Sequence, residues 1–297
     1  MVDETVKCTE CGGANLRAVA TYKRIWRLCA DCGTGVPAQR QRYPFAFLPH
    51  PKFKMPTGQD QQSIYDYFVD PFHIQYSIDT AHEFLTKHIK PNQIELTGKR
   101  VLDVSGGNGH FLKEIEKQGA IVALTEINKR AIEHAKKLHG FEVYEFDFNS
   151  QRIHEVVQGT FDIVLLRAAI MFCRDLGQLA QDLAKVVRPG SLVIVDHSVM
   201  PTLGVLLRVQ LDEFSYASLR QPETVIKHFT TSGFQLTSRK DETDPSLYVY
   251  DHDVDRWPFL AHLFYEAKAI RDFKNARDFS FPARDRRRSA MIFQRLA

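Results

Sequence analysis

From Arg100 onward, short apolar runs alternate with amphipathic stretches in a regular order. Residues 101–104, 121–125, 142–146, 161–166 and 191–195 are apolar runs of strand length. Between them, residues 111–118, 129–139 and 178–187 carry apolar positions at helical spacing, and Arg188-Pro189-Gly190 closes the last of these. Strand and helix alternating in this way predict an α/β domain whose mostly parallel sheet is covered by helices on both faces. Upstream, residues 79–89 read as a helix, with Ala81, Phe84, Leu85 and Ile89 near helical spacing. At the far end, residues 289–296 read as a final edge strand.

The N-terminal pattern differs. Residues 16–28 alternate as a small hairpin, and Pro, Gln and aromatic residues then crowd 36–62, which reads as a loop or linker. The hairpin separates two copies of Cys-x-x-Cys-Gly, Cys8/Cys11 and Cys29/Cys32, with seventeen residues between them. Each knuckle aims two thiolates at one point, while Gly12 and Gly33 let backbone amides face the sulfurs. Four thiolates fill a tetrahedral Zn(2+) shell, so the pattern predicts a small zinc ribbon. A closed four-cysteine shell has no open position for chemistry, so its zinc is expected to be structural. No apolar leader precedes the cysteines, and only Cys173 lies outside the knuckles. This predicts a cytoplasmic, reduced protein rather than a disulfide framework.

At 297 residues, with 44% hydrophobic and 25% charged positions, the composition is that of a globular protein with no apolar run long enough to span a membrane. A formal charge of +3 does not announce a nucleic-acid partner. Residues 271–297 hold eight Lys/Arg against three Asp, so the basic character is concentrated at the end. The expected domains are 1–40 as ribbon, 41–95 as linker and capping helices, and 96–297 as the sheet domain, with an insertion at about 245–285. That insertion reads as a substrate lid, a dimer face or simply part of the core.

Candidate chemistry starts at the first strand of the sheet. Val101-Leu-Asp-Val-Ser-Gly-Gly-Asn-Gly-His-Phe111 is a glycine-rich turn entering a helix, and Gly106, Gly107 and Gly109 allow a backbone to pass close to a ligand. Asp103 stands where a carboxylate holds a positively charged amino group and would repel a pyrophosphate. Glu126 ends the second strand, from which a carboxylate takes ribose hydroxyls. Asp147 follows the third, placed for an adenine amino group while Phe148 packs on the base.

This constellation resembles that of class I S-adenosylmethionine-dependent methyltransferases, whose first motif is Asp/Glu-x-Gly-x-Gly-x-Gly. The matching residues are Asp103, Ser105, Gly107 and Gly109, with serine in place of the first glycine. The resemblance covers about residues 98–240. It implies a Rossmann-like seven-stranded sheet and S-adenosylmethionine bound by Asp103, Ser105, Gly106, Gly107, Gly109, Glu126, Ile127, Asp147, Phe148 and Arg167. A four-cysteine ribbon ahead of such a domain is similar to bacterial methyltransferases acting on sugar and natural-product precursors. It implies a small-molecule acceptor methylated on oxygen or carbon.

Such an acceptor must lose a proton, and His197, just past the fifth strand, is the best-placed imidazole for a base; a hydrogen-bonded loop histidine is the competing reading. Asp212, Glu213 and Tyr216 follow on the expected acceptor side, and His73, Tyr65, Tyr67 and Tyr76 read as cofactor cover or as packing. The rival function is an RNA- or ribosome-associated methyltransferase using the ribbon and Arg284, Arg286, Arg287 and Arg288. A cofactor-binding regulator without catalysis is the third. The oligomeric state is not encoded in these patterns.

Overall fold

The computed structural model describes residues 7–8, 10–20, 24–29, 31, 35–40, 71–198, 220, 222–242 and 288–297. The chain divides into two compact units. One gathers residues 1–56, 198–225 and 241–289; the other gathers 57–197, 226–240 and 290–297.

In the first unit, β1 (Leu16–Ala20), β2 (Arg24–Cys29) and β3 (Gly35–Arg40) form a three-stranded antiparallel sheet in that order. Leu16 faces Cys29 and Ala20 faces Ile25, which is the expected hairpin. The third strand corrects the expectation of a loop from residue 36. Pro37 argued against a strand, but β3 is an edge strand whose register shifts between Ile25 and Trp26, and both features tolerate proline.

The second unit is built on a seven-stranded sheet in the order β6-β5-β4-β7-β8-β10-β9. Its strands are β4 (Arg100–Val104), β5 (Ile121–Glu126), β6 (Glu142–Glu145), β7 (Phe161–Arg167), β8 (Val187–Ser198), β9 (Phe234–Glu242) and β10 (Arg288–Arg295). The first five pair in parallel. Leu296 bonds to Gly233 and Thr237 to Ile292, so β9 and β10 run antiparallel and the sheet is mixed. The intervening helices are α1 (Pro71–Phe84), α2 (His110–Glu116), α3 (Lys129–His139), α4 (Ile153–Val156), α5 (Leu176–Val186) and α6 (Pro222–Thr231).

Three boundaries differ from the sequence pattern. α1 begins at Pro71, eight residues before the expected start at Asp79, because proline suits a first helical turn whose amide would be unpaired anyway. A short π-helical turn, Leu85–Ile89, then follows. β8 begins at Val187 and runs through the expected Arg188-Pro189-Gly190 stop, with a register irregularity opposite Phe161 to Ile163. β10 is not an edge: it lies between β8 and β9 and buries Ala290, Met291, Ile292 and Phe293. Phe293 stacks on Phe229 of α6 at 4.6 Å, and Phe234 meets the same ring edge-on.

The central strands are buried on both faces. Val101, Leu102 and Val104 in β4, Leu124 in β5 and Val164 and Leu166 in β7 are fully buried, as parallel strands between helices must be. Among the described residues, no helix is long and apolar enough to cross a membrane.

Candidate active site

The glycine-rich loop joins β4 to α2 at the carboxyl end of the sheet, where the strands of an open α/β sheet leave their ligand crevice. Its backbone is held from β5. The Ser105 and Gly106 amides donate to the hydroxyl and carbonyl of buried Thr125, and the Gly107 amide donates to Glu126 at 2.9 Å. Gly109 bonds back to Gly106. These four amides are therefore committed to protein acceptors, whereas a pyrophosphate loop must leave such amides for its anion.

Ser105 adopts a left-handed conformation, φ 62°, the region that favours glycine. At Gly109, φ is 83° and a β-carbon would come within 2.9 Å of the Phe141 ring. Glycine is required at that position by both conformation and space.

Asp103, near the end of β4, is almost fully buried beside the loop. Burial pushes its carboxyl up to about 7; Arg167 opposes the shift and Glu126 adds to it. A buried carboxyl so poised can receive a cationic group. Glu126, at the end of β5, is also raised by burial, in part offset by the amides of Asn128, Ile127 and Gly107 that it accepts. It ties the two strand-to-helix loops together. A carboxylate has about four acceptor positions, so one remains for a ligand hydroxyl. Ile127 presents an exposed apolar side chain beside it.

Asp147 lies two residues beyond β6. Its oxygens accept from the Asn149 amide and the Ser150 hydroxyl, while Phe148 meets Phe146 edge-on. Arg167 ends β7 with its guanidinium 3.2 Å from the centroid of the Phe111 ring and 5.8 Å from that of Phe84. The structure thus brings Asp103, the glycine loop, Glu126 and Arg167 to one end of the sheet.

His197 stands at the carboxyl end of β8, next to buried Asp196, whose register partner in β7 is Arg167. Cys32, Asp212, Glu213, Tyr216, Tyr65, Tyr67 and Arg284, Arg286 and Arg287 lie outside the described residues. Tyr76 is exposed on α1.

The sequence pattern did not single out Asn149. Its amide donates to the Phe172 carbonyl and its oxygen accepts from the Arg174 amide, so it staples the Asp147 loop to the segment after β7. A lone asparagine in a loop carries no signal of such a distant pairing. Phe84 and Phe111 were visible only as apolar helix positions; their meeting at 5.5 Å beneath Arg167 is a tertiary outcome. Three imidazoles also gather where α2 and α3 meet: His110 lies 4.9 Å from His139 and 6.0 Å from His134, between ring centroids.

In the first unit, the sulfurs of Cys8, Cys11 and Cys29 lie within 4.8 Å of one another, Cys11 and Cys29 at 3.6 Å. That separation excludes a bond between those two sulfurs. It fits tetrahedral zinc, for which Zn–S of 2.3 Å implies about 3.8 Å between sulfurs. The amide facing a sulfur is that of Gly13, donating to Cys11, while Gly12 turns the chain at φ 72°.

A family model described as a methyltransferase domain matches residues 73–238, more than half of the chain and all of the site. The chain belongs to this methyltransferase family. Its relatives include the ubiquinone biosynthesis O-methyltransferase of Rhizobium leguminosarum bv. trifolii, 26% identical over 182 residues, covering 57% of this chain and 72% of that protein. Another is the biotin biosynthesis bifunctional protein BioHC of Cellvibrio japonicus, 25% identical over 43% of this chain and 25% of its own. Among solved structures, an S-adenosylmethionine-dependent methyltransferase from Mesorhizobium loti shares the fold. Its TM-score is 0.50 at 14% identity, over 73% of this chain and 100% of that one. The phosphoethanolamine N-methyltransferase 2 of Haemonchus contortus does so with TM-score 0.54 at 14% identity, over 88% and 63%. The protein is an S-adenosylmethionine-dependent methyltransferase with an α/β Rossmann-like fold.

Proposed function

We propose that this methyltransferase acts on a small hydroxyl-bearing acceptor, and that a structural zinc ion held by Cys8, Cys11, Cys29 and Cys32 orders its N-terminal unit. Its cofactor site rests on Asp103, a buried carboxyl beside a loop whose amides are already paired, which calls for a cationic, phosphate-free ligand end; the zinc rests on the gathered sulfurs of Cys8, Cys11 and Cys29. The names of the relatives favour oxygen over carbon as the methylated atom.

S-adenosylmethionine supplies a methyl group on a positively charged sulfur. Asp103 would hold the amino group of its methionine part, Glu126 would take a ribose hydroxyl, and Ile127 and Phe148 would pack on the base with Asp147 at its edge. Ser105, Gly106, Gly107 and Gly109 let the backbone approach, and Arg167 closes the floor over Phe111. With the methyl donor bound, His197 would take the proton of the acceptor hydroxyl whose oxygen receives the methyl group. Asp212, Glu213 and Tyr216 orient the acceptor. On this reading residues 1–40 are the ribbon and about 245–285, which lie outside the described residues, are an insertion in the sheet domain.

The test combines S-adenosylhomocysteine titration with methyl transfer to a panel of catechols, phenols and deoxysugars, using His197→Ala as the variant. The expected result is unchanged affinity with turnover lowered about 100-fold or more, as for loss of a general base. Full turnover in the variant removes His197 from that role, and methylation of RNA but of no small acceptor replaces the acceptor class.

A further inference from the structure

His110 opens α2 directly after Gly109, and His139 closes α3 two residues before Phe141. Their ring centres lie 4.9 Å apart with the ring planes at 86°. His139 also stacks on Phe141 at 4.9 Å and 24°, and Phe141 is the ring that a β-carbon at Gly109 would meet. The two imidazoles therefore border the glycine-rich turn of the candidate active site. His134 faces His110 from farther off, at 6.0 Å.

The Nε2 atoms of His110 and His139 are shielded from water and have no hydrogen-bond partner among the described residues. A buried polar nitrogen is costly to leave in that state, so two of them side by side point to a missing partner that both can share. The charge state narrows the choice of partner. Burial, and then His134, push the His110 imidazole below the ordinary histidine range; burial, and then His110, Lys113 and His134, push His139 down to about 4 against the pull of Glu116. At neutral pH both rings are uncharged, which is the form that ligates metal, so no proton has to be displaced first. Lys113, the one fixed cation facing His139, is itself paired with Glu116. The spacing fits as well: metal–nitrogen bonds of about 2.0–2.1 Å at tetrahedral angles set two ring centres about 5 Å apart.

We propose that His110 and His139 form a binding site for one divalent transition-metal ion of the imidazole-preferring kind, which clamps the start of α2 to the end of α3 beside the glycine-rich turn. Both rings are half-buried, so the remaining positions on the ion fall to water. The ion stiffens the turn and takes no part in methyl transfer. The proposal depends on neither the zinc nor the acceptor reading above.

The experiment is hydrogen exchange on the full-length, zinc-loaded protein with and without nickel(II), as wild type, His110→Gln, His139→Gln and His82→Gln. In wild type, nickel at a hundred times its dissociation constant slows exchange in peptides from 105–112 and 137–143 by up to about 100-fold, wherever opening requires the ion to leave. Either of the first two variants loses this protection, and His82→Gln, which removes an exposed imidazole on α1, keeps it. No nickel-dependent slowing in these two segments of the wild type, or slowing that survives in His110→Gln or His139→Gln, overturns the site. A measurement on the wild type alone covers the case of a variant that does not fold. Copper(II) bound to the zinc-loaded protein should show two imidazole nitrogens by electron paramagnetic resonance, and a spectrum without nitrogen ligands overturns the proposal.

Discussion

The carboxyl end of the sheet and the cysteine knuckle both gather residues for a ligand, yet they do so by different physics. At the sheet, Glu126 and Arg167 end their strands and Asp103 stands one residue before the end of its own, among Leu102, Val104, Leu124 and Leu166, which are fully buried. The site is held in shape by the core itself, which tolerates the burial of two carboxyls. In the first forty residues, the buried side chains described are Cys8, Glu10 and Cys29. On the zinc reading proposed above, metal ligation supplies folding energy to this region. The proposed cofactor site is then preformed by the core, and the proposed zinc site is formed with its metal.

The largest expected effect follows from that contrast. Cys29→Ser, or removal of zinc by a chelator, should unfold residues 1–40 while leaving S-adenosylhomocysteine affinity within about twofold of wild type, because zinc binding is folding energy for such modules. Circular dichroism with titration calorimetry reads both, and a collapse of cofactor affinity would erase the distinction between the two regions.

Next comes Asp103→Asn. Loss of one charge-assisted bond of about 1.5–3 kcal/mol should weaken S-adenosylhomocysteine binding roughly 10- to 100-fold. The same change should raise the melting temperature of the ligand-free protein. The folded pKa of about 7 lies above the ordinary 3.8, so the folded state binds the extra proton and loses stability as pH rises from the lower value to the higher. At neutral pH the carboxyl is a cost to folding, and asparagine removes it. A variant both weaker in binding and lower in melting point would show that Asp103 supports the core and is not held for a ligand.

Gly109→Ala tests how firmly the sheet region is preformed. A left-handed φ and the Phe141 ring at 2.9 Å predict a loss of about 1–3 kcal/mol in denaturant unfolding. An alanine tolerated without loss would mean that the loop is set by its ligand, as the knuckle is.

The smallest effect is on pH dependence. Binding needs the Asp103 carboxylate, so affinity should be level above about pH 7 and fall about tenfold for each unit below it. The knuckle has no matching titration in the cofactor affinity. His139 gives the opposite slope in stability: burial first, and then His110, Lys113 and His134, push it down to about 4, against the pull of Glu116. Its neutral form is favoured by folding, so that stability is intact above about 6.5 and is lost as pH falls toward 4. Unfolding free energies across this range, with His139→Gln as reference, separate the two slopes.

The five parallel strands were legible because a strand buried on both faces must be apolar throughout, and the helices between them must not be. The candidate cofactor residues were legible because β4 and β5 end where the apolar runs end, with Asp103 one residue before the end of β4 and Glu126 at the end of β5. β3 was hidden by Pro37, which excludes an interior strand but not an edge. The place of β10 was hidden for another reason: alternation marks a strand but not which neighbours it takes.

The sequence by itself determined the α/β class, the strand-end carboxylates, the glycine loop and the paired cysteines, since each depends on neighbours a few positions away. Only the tertiary structure decided that β10 lies inside β9, that Phe84 and Phe111 meet beneath Arg167, that Asn149 staples two loops, and that Glu10 pairs with Arg220. These are contacts between residues far apart in the chain. Nothing in the local pattern at either partner specifies the other, because the driving force, burial without an unpaired charge or polar group, acts only once the chain is compact.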